Sequence, residues 1–278
     1  MNATPSLSFL ARNVFLIRRW HSLTGLVPIG AYLVAHLSVN ASLLSGPSVF
    51  QKNVYQIHSL EDSLIFVEWA FIFLPILFHG IIGIMIWLGG LSNTGQYPYC
   101  SNIRYMLQRV TGLIAFVFII WHVFHLHGWF HSEWWLNNVA RPLGGYNFRP
   151  FNAASTLGAA MSNVFVQVLY AIGVLSCVYH LANGLWTMGI TWGVWTSPAA
   201  QRRATWVCGT FGVLLAMVGM AALVGASTVD RAKARTIEDR MYAVRLDAGE
   251  VKPDPHKRSA PEKAAGAAVQ HFGDMPEK

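Results

Sequence analysis

The sequence predicts an all-α membrane protein with five transmembrane helices, the first four packed as a bundle. Three observations predict it. Of 278 residues, 54% are hydrophobic and 12% charged, and mean hydropathy is +0.39, whereas a soluble domain carries about 25% charged residues. The charges are displaced toward the end: ten of the 20 Lys and Arg and nine of the 13 Asp and Glu follow Ser227. Finally, the first four long apolar runs contain one deep histidine each: His36, His79, His122 and His180.

The elements follow in order. A short N-terminal segment, 1–19, carries Arg12, Arg18 and Arg19 and shows no cleavable signal peptide. Apolar runs at 20–44, 63–91, 106–127, 160–192 and 205–227 each reach the roughly 20 residues that cross about 30 Å of hydrocarbon. Together they form a transmembrane domain over 20–227. The second and fourth runs exceed that length, so tilt is expected. Eleven Trp in so apolar a chain point to interfacial belts. The residues 228–278 read as a polar tail, with a short surface helix over 230–242. Its end, with Pro253, Pro255, Pro261 and Pro276, reads as disordered. Cys100, Cys177 and Cys208 lack metal-ligand spacing and read as small apolar fillers.

Orientation comes from the short connections. Arg12, Arg18, Arg19, Arg104, Arg109, Arg202 and Arg203 fall on one side, against Lys52, Arg141 and Arg149 on the other. The N-terminus is therefore expected in the cytoplasm and, after five crossings, the C-terminus outside. Arg231, Lys233 and Arg235 oppose this pattern. The net charge of +7 mostly reflects loop arginines rather than a nucleic-acid surface.

An ionisable side chain at membrane depth is costly and marks function. Counting 1.5 Å per residue, His36 and His122 lie roughly 25 and 20 Å above the inner surface. His79 and His180 lie roughly 25 and 27 Å below the outer surface. Two thus share the outer half and two the inner half, from helices 1 and 3 and from helices 2 and 4, the diagonals of a bundle. Two levels with two imidazoles each suit two haems, whose iron needs two axial ligands. Zinc would need a third or fourth ligand at each level. An internal repeat supports the arrangement: Thr24-Gly25 precedes His36, Thr111-Gly112 precedes His122, and Gly83 and Gly184 follow His79 and His180 by four residues. Glycine on the histidine face leaves room for a flat macrocycle. His125, His127 and His131 read as interfacial residues near the outer site, with a surface metal site as the sharper alternative. His21 and His58 sit at segment ends, where contact with haem propionates or a quinone competes with a plain interfacial role.

These segments resemble the dihaem cytochrome b subunit of succinate dehydrogenase and fumarate reductase, of the five-helix single-anchor type. The matching stretches are RRWHSLTGLVPIGAYLVAHL (18–37), FLPILFHGIIGI (73–84), NTGQYPY (93–99), LQRVTGL (107–113), WHVF (121–124), YHLANGLW (179–186) and TWGVWTSPAAQR (191–202). The resemblance covers about 15–226. It implies two haems b, with His79 and His180 on the proximal one and His36 and His122 on the distal one. It also implies a flavoprotein and an iron–sulfur protein as cytoplasmic partners, and a quinone, usually menaquinone, near the distal haem. The tail after Ser227 and the connection 128–158 are long by comparison, and the latter is a candidate cover for the quinone site.

The chain has no flavin fingerprint and no Cys₄ cluster spacing, so dicarboxylate oxidation is assigned to its partners. Quinone reduction consumes protons. Glu68 is the one acid inside an apolar run, about 16 Å outward of His79, and is the candidate catalytic group for proton exchange. No carboxylate lies near His180 on helix 4. Arg18, Arg19 and Arg109 are candidates for proximal propionates or for docking. The alternatives are a haem b anchor of a hydrogenase or formate dehydrogenase, and a non-haem scaffold or transporter. The one-per-helix histidines and the NTGQYPY and HLANGLW stretches argue against the former.

Overall fold

The computed structural model describes residues 12–61, 63–90 and 94–259. Asp62, Pro261, Pro276 and most of the N-terminal segment lie outside these residues. Among the described residues the chain is helical and without strands, and five helical spans are long and apolar enough to cross a membrane. It is an all-α, multi-pass membrane protein.

Span 1 comprises α1 (Val14–Leu26) and α2 (Ile29–Ala41). It starts six residues before the expected 20 and is interrupted within the expected run 20–44. The interruption falls at Pro28, whose ring removes a backbone donor and clashes with the preceding turn. After a 3-10 turn, the amphipathic α3 (Pro47–His58) starts with proline in its first turn. Span 2 comprises α4 (Ser63–Glu68), a π turn (Trp69–Phe73) and α5 (Leu74–Leu88). Pro75 cannot donate to the preceding turn, and the wider π turn absorbs the mismatch. Span 3 is α6 (Cys100–His127), closed by Gly128 at φ 82°, a left-handed stop that glycine adopts without penalty. It starts six residues before the expected 106, because the helix continues into polar sequence. After α7 (Ala153–Ala160) come span 4, α8 (Val164–Thr191), and span 5, α9 (Pro198–Thr228). The α9 start precedes the expected 205. Ser197 caps it by accepting from the Ala200 amide at 3.2 Å, with Pro198 in the first turn.

The packing orders the spans. The α1 helix lies against α5 and α8; α6 lies against α8 and more lightly against α5; α9 closes the side formed by α8 and α2. Spans 1 and 3, and spans 2 and 4, are therefore diagonal. The cluster of Leu37, Val178, Leu181 and Leu215 joins spans 1, 4 and 5.

A cap covers the end of the bundle where His36 and His122 lie. The tail builds much of it, which corrects the surface-helix expectation. Helix α10 runs Arg231–Asp247, not 230–242, and packs on α3 and α7. Its Glu238 is fully buried. The carboxylate accepts from the amides of Ala154 (2.6 Å) and Ser155 (3.0 Å) and from the Ser155 hydroxyl (2.5 Å). The carboxyl satisfies orphan donors at the start of α7, and burial pushes it above the usual carboxylate range while these hydrogen bonds oppose the shift. Gln51 of α3, also fully buried, accepts from the Ala153 amide (2.9 Å) and donates to the Pro150 carbonyl (2.7 Å). The stretch with Pro253 and Pro255, read as disordered, is ordered through Ser259: Phe151 donates to the Lys257 carbonyl at 2.7 Å, and Ser259 donates to Asn152.

Candidate functional site

Each deep histidine meets the one on the diagonal span. The rings of His36 and His122 are 5.9 Å apart between centroids and inclined at 84°. Those of His79 and His180 are 6.1 Å apart at 88°. Imidazoles on opposite sides of one iron, each bonded at about 2 Å, have centroids roughly 6 Å apart. The expected pairing by depth is thus the pairing in space.

In all four, the Nδ1 atom is engaged and Nε2 is left for a metal. His79 Nδ1 lies 2.8 Å from the His21 carbonyl, and His180 Nδ1 lies 3.0 Å from the Gln108 carbonyl. His36 Nδ1 lies 3.3 Å from the Tyr32 hydroxyl, and His122 Nδ1 lies 3.2 Å from the Tyr170 hydroxyl. Such outer partners fix the tautomer and ring orientation of a ligating histidine.

The inner pair carries the internal repeat into three dimensions. His79 lies on Gly25, where an added Cβ would fall 2.4 Å from its Cε1; His180 lies on Gly112 in the same way, at 2.7 Å. In both cases the accepting carbonyl is four residues before the glycine. Only glycine lets a ring approach that backbone so closely. Gly83 and Gly184, the glycines on the histidine face, are occupied in turn: an added Cβ would meet His21 Cε1 at 3.3 Å and Gln108 Nε2 at 3.4 Å. The donor set, two facing imidazoles at each level, fits a group held by iron.

Further contacts brace the inner pair. Gln108 donates to the His180 carbonyl at 3.1 Å and accepts from Asn183 at 2.8 Å. Asn183 in turn accepts from Arg104, whose guanidinium lies 3.9 Å over the Trp186 ring. Arg109 straps span 3 to the end of span 2 through the Trp87 and Gly90 carbonyls and the Tyr105 hydroxyl. Arg19 lies over the rings of Phe15 and Trp192. Both keep a buried Nε without a partner, so each retains an unused donor for an anionic group.

The remaining candidates separate. His21 stacks on His79 at 3.9 Å. His125 is buried rather than interfacial, stacked on Trp121 at 4.9 Å and 2.9 Å from the same Tyr170 hydroxyl that serves His122. His58, His127 and His131 gather in the cap. Burial pushes His58 down to about 4, with Lys257 adding to the effect and Asp254 opposing it. Among the described residues no group of three or more His, Cys, Asp or Glu side chains is placed to hold a metal ion. Glu68 ends α4, directly before the π turn, and is within electrostatic reach of Tyr32. The Tyr32 hydroxyl in turn lies 3.3 Å from His36 Nδ1. Tyr32 was legible as the residue four before His36, on the same helix face. Tyr170 and the two carbonyls come from other spans and carried no local signal.

No protein-family model matches the chain. The succinate dehydrogenase cytochrome b558 subunit of Bacillus subtilis (strain 168) is 34% identical to it over 210 residues, which are 75% of this chain and 95% of the relative.

Proposed function

The chain belongs to the succinate dehydrogenase cytochrome b subunit family, and on that premise we propose that it passes electrons between an iron–sulfur subunit and a quinone through two haems b. The observation that carries the reading is the cross-bundle pairing of four histidines, each with Nδ1 engaged. His79 and His180 hold the inner haem, and His36 and His122 hold the outer one. When bound, haem supplies one-electron transfer between a two-electron donor and a two-electron acceptor. The protein's part is to fix the rings, exclude water and manage protons.

The hydrogen bonds at Nδ1 differ between the levels. Backbone carbonyls at the inner pair and tyrosine hydroxyls at the outer pair give the two ligand sets different basicity, one lever on potential. The quinone's place is the cap end of the bundle. An open cavity of about 530 Å³ there is lined by Ser38, Val39, Asn53, Gln56, Ile57 and Leu60. It begins two residues beyond His36 and offers amides to quinone carbonyls and aliphatic walls to the ring. Glu68 supplies the proton-exchanging group.

Quantitation of haem as its pyridine haemochrome is expected to give two haems per chain in the purified protein. One haem, or none, overturns the reading. The flavoprotein and iron–sulfur subunits dock at the end carrying Arg18, Arg19, Arg104, Arg202 and Arg203, with the N-terminus in the cytoplasm. Protease accessibility is expected to place residues 1–15 inside the cell. Their exposure on the outer face would reverse the inner and outer labels.

A further inference from the structure

Four histidines outside the two pairs meet in the cap. His127 ends α6, and its ring centroid lies 4.3 Å from that of His131. His131 also places Nε2 3.1 Å from the His127 carbonyl. It stacks on His256 of the C-terminal segment at 6.2 Å and 8°. Tyr146 lies beside both, with its ring 5.3 Å from His131 and its hydroxyl 3.2 Å from His256 Nδ1. His256 Nε2 lies 3.5 Å from the carboxylate of Glu133, whose side chain is 66% exposed. The outward end of the row therefore reaches water.

The inward end reaches span 2. His127 packs on Phe73 at 6.4 Å, within the π turn that begins directly after Glu68. His58 of α3 is within electrostatic reach of His127. The Nδ1 atoms of His58 and His127 are both buried and both lack a hydrogen-bond partner in the chain. One such orphan is costly. Two on facing elements point to a polar guest shared between them, such as water or a ligand oxygen.

Resting on the quinone reading above, we propose that His127, His131 and His256 form a proton path between the outer aqueous phase at Glu133 and the quinone site at the outer histidine pair, with His58 flanking its inner end. A neutral imidazole has one donor and one acceptor nitrogen. With water between successive rings, it takes a proton on one nitrogen and releases the other nitrogen's proton onward, then resets by turning over. Reduction of one quinone to hydroquinone uses two electrons from the iron–sulfur partner and two protons entering along this row. Hydroquinone oxidation sends both the other way. The charged and titratable neighbours are Lys257 and Asp254 at His58; Arg149 and Asp254 at His131; and Glu133 and Tyr146 at His256.

The test uses the complete complex and a water-soluble quinone analogue. In His131→Ala, haem content and the rate of haem reduction by succinate are expected to match the wild type. Haem reoxidation by the quinone is expected to slow about tenfold or more, and added imidazole to restore it. His256→Ala is expected to act in the same direction. Wild-type reoxidation rates in both variants, with Glu68→Gln slowed, overturn the path and leave the quinone reading standing. Wild-type haems that the quinone does not reoxidise at all overturn both. Should His131→Ala lose haem, the solvent deuterium effect on wild-type reoxidation decides: a clear slowing is expected, and equal rates in both solvents overturn the path.

Discussion

Replacing His36 or His122 with alanine is expected to remove the outer haem and leave the inner one in place; His79→Ala or His180→Ala is expected to do the reverse. Each member of a pair comes from a different span, and the two rings face each other at about the separation that one iron requires. Losing one imidazole would leave only one of the two side chains that would hold the group at that level. The other pair sits at the opposite depth, on other spans' partners, and keeps its own Nδ1 contacts. Redox titration with reduced-minus-oxidised spectra separates the two components. If His36→Ala and His79→Ala abolish the same component, the diagonal assignment is wrong.

The spans were legible in the sequence because membrane helices are long and apolar, a requirement that leaves little freedom. Their ends were legible only in part. Ser197-Pro198 is a standard helix start, and its polar surroundings hid it from an apolar-run reading. Whether a span breaks, as at Pro28, or widens, as before Pro75, depends on its neighbours. The cap was not legible. Its α3 and α10 are amphipathic, and its principal contacts join distant positions, such as Glu238 with Ala154 and Ser155. A polar, proline-containing tail reads as disorder until a partner for its buried carboxylate is known.

The candidate site divides in the same way. Depth along a helix follows from residue count, so the histidine pairs could be read from the chain alone. Which backbone each ring lies on could not, although Gly25 and Gly112 stood at repeated positions. Their role is to receive His79 and His180 from neighbouring spans, which only packing decides.

Glu68→Gln is expected to spare both haems and to cut quinone-linked turnover by about 10²-fold, the range typical of losing one general acid–base group. Glu68 is the one acid within the apolar runs, and an ionisable group there belongs beside a polar cavity or a partner. The structure gives it Tyr32 as an electrostatic neighbour, and the Tyr32 hydroxyl lies 3.3 Å from Nδ1 of His36. A carboxyl so placed is one tyrosine away from an outer-pair histidine, yet is not bonded to it. Glutamine keeps the size and hydrogen-bonding capacity of glutamate and removes only the titrating proton. Electron entry from succinate should therefore persist, and turnover with an artificial dye at the soluble subunits should be unchanged. Steady-state assays with quinone and with dye on the same preparation make the comparison internal. Normal quinone turnover in a Glu68→Gln complex that retains both haems would show that the carboxyl only packs against Tyr32, and that protons reach the quinone by another route.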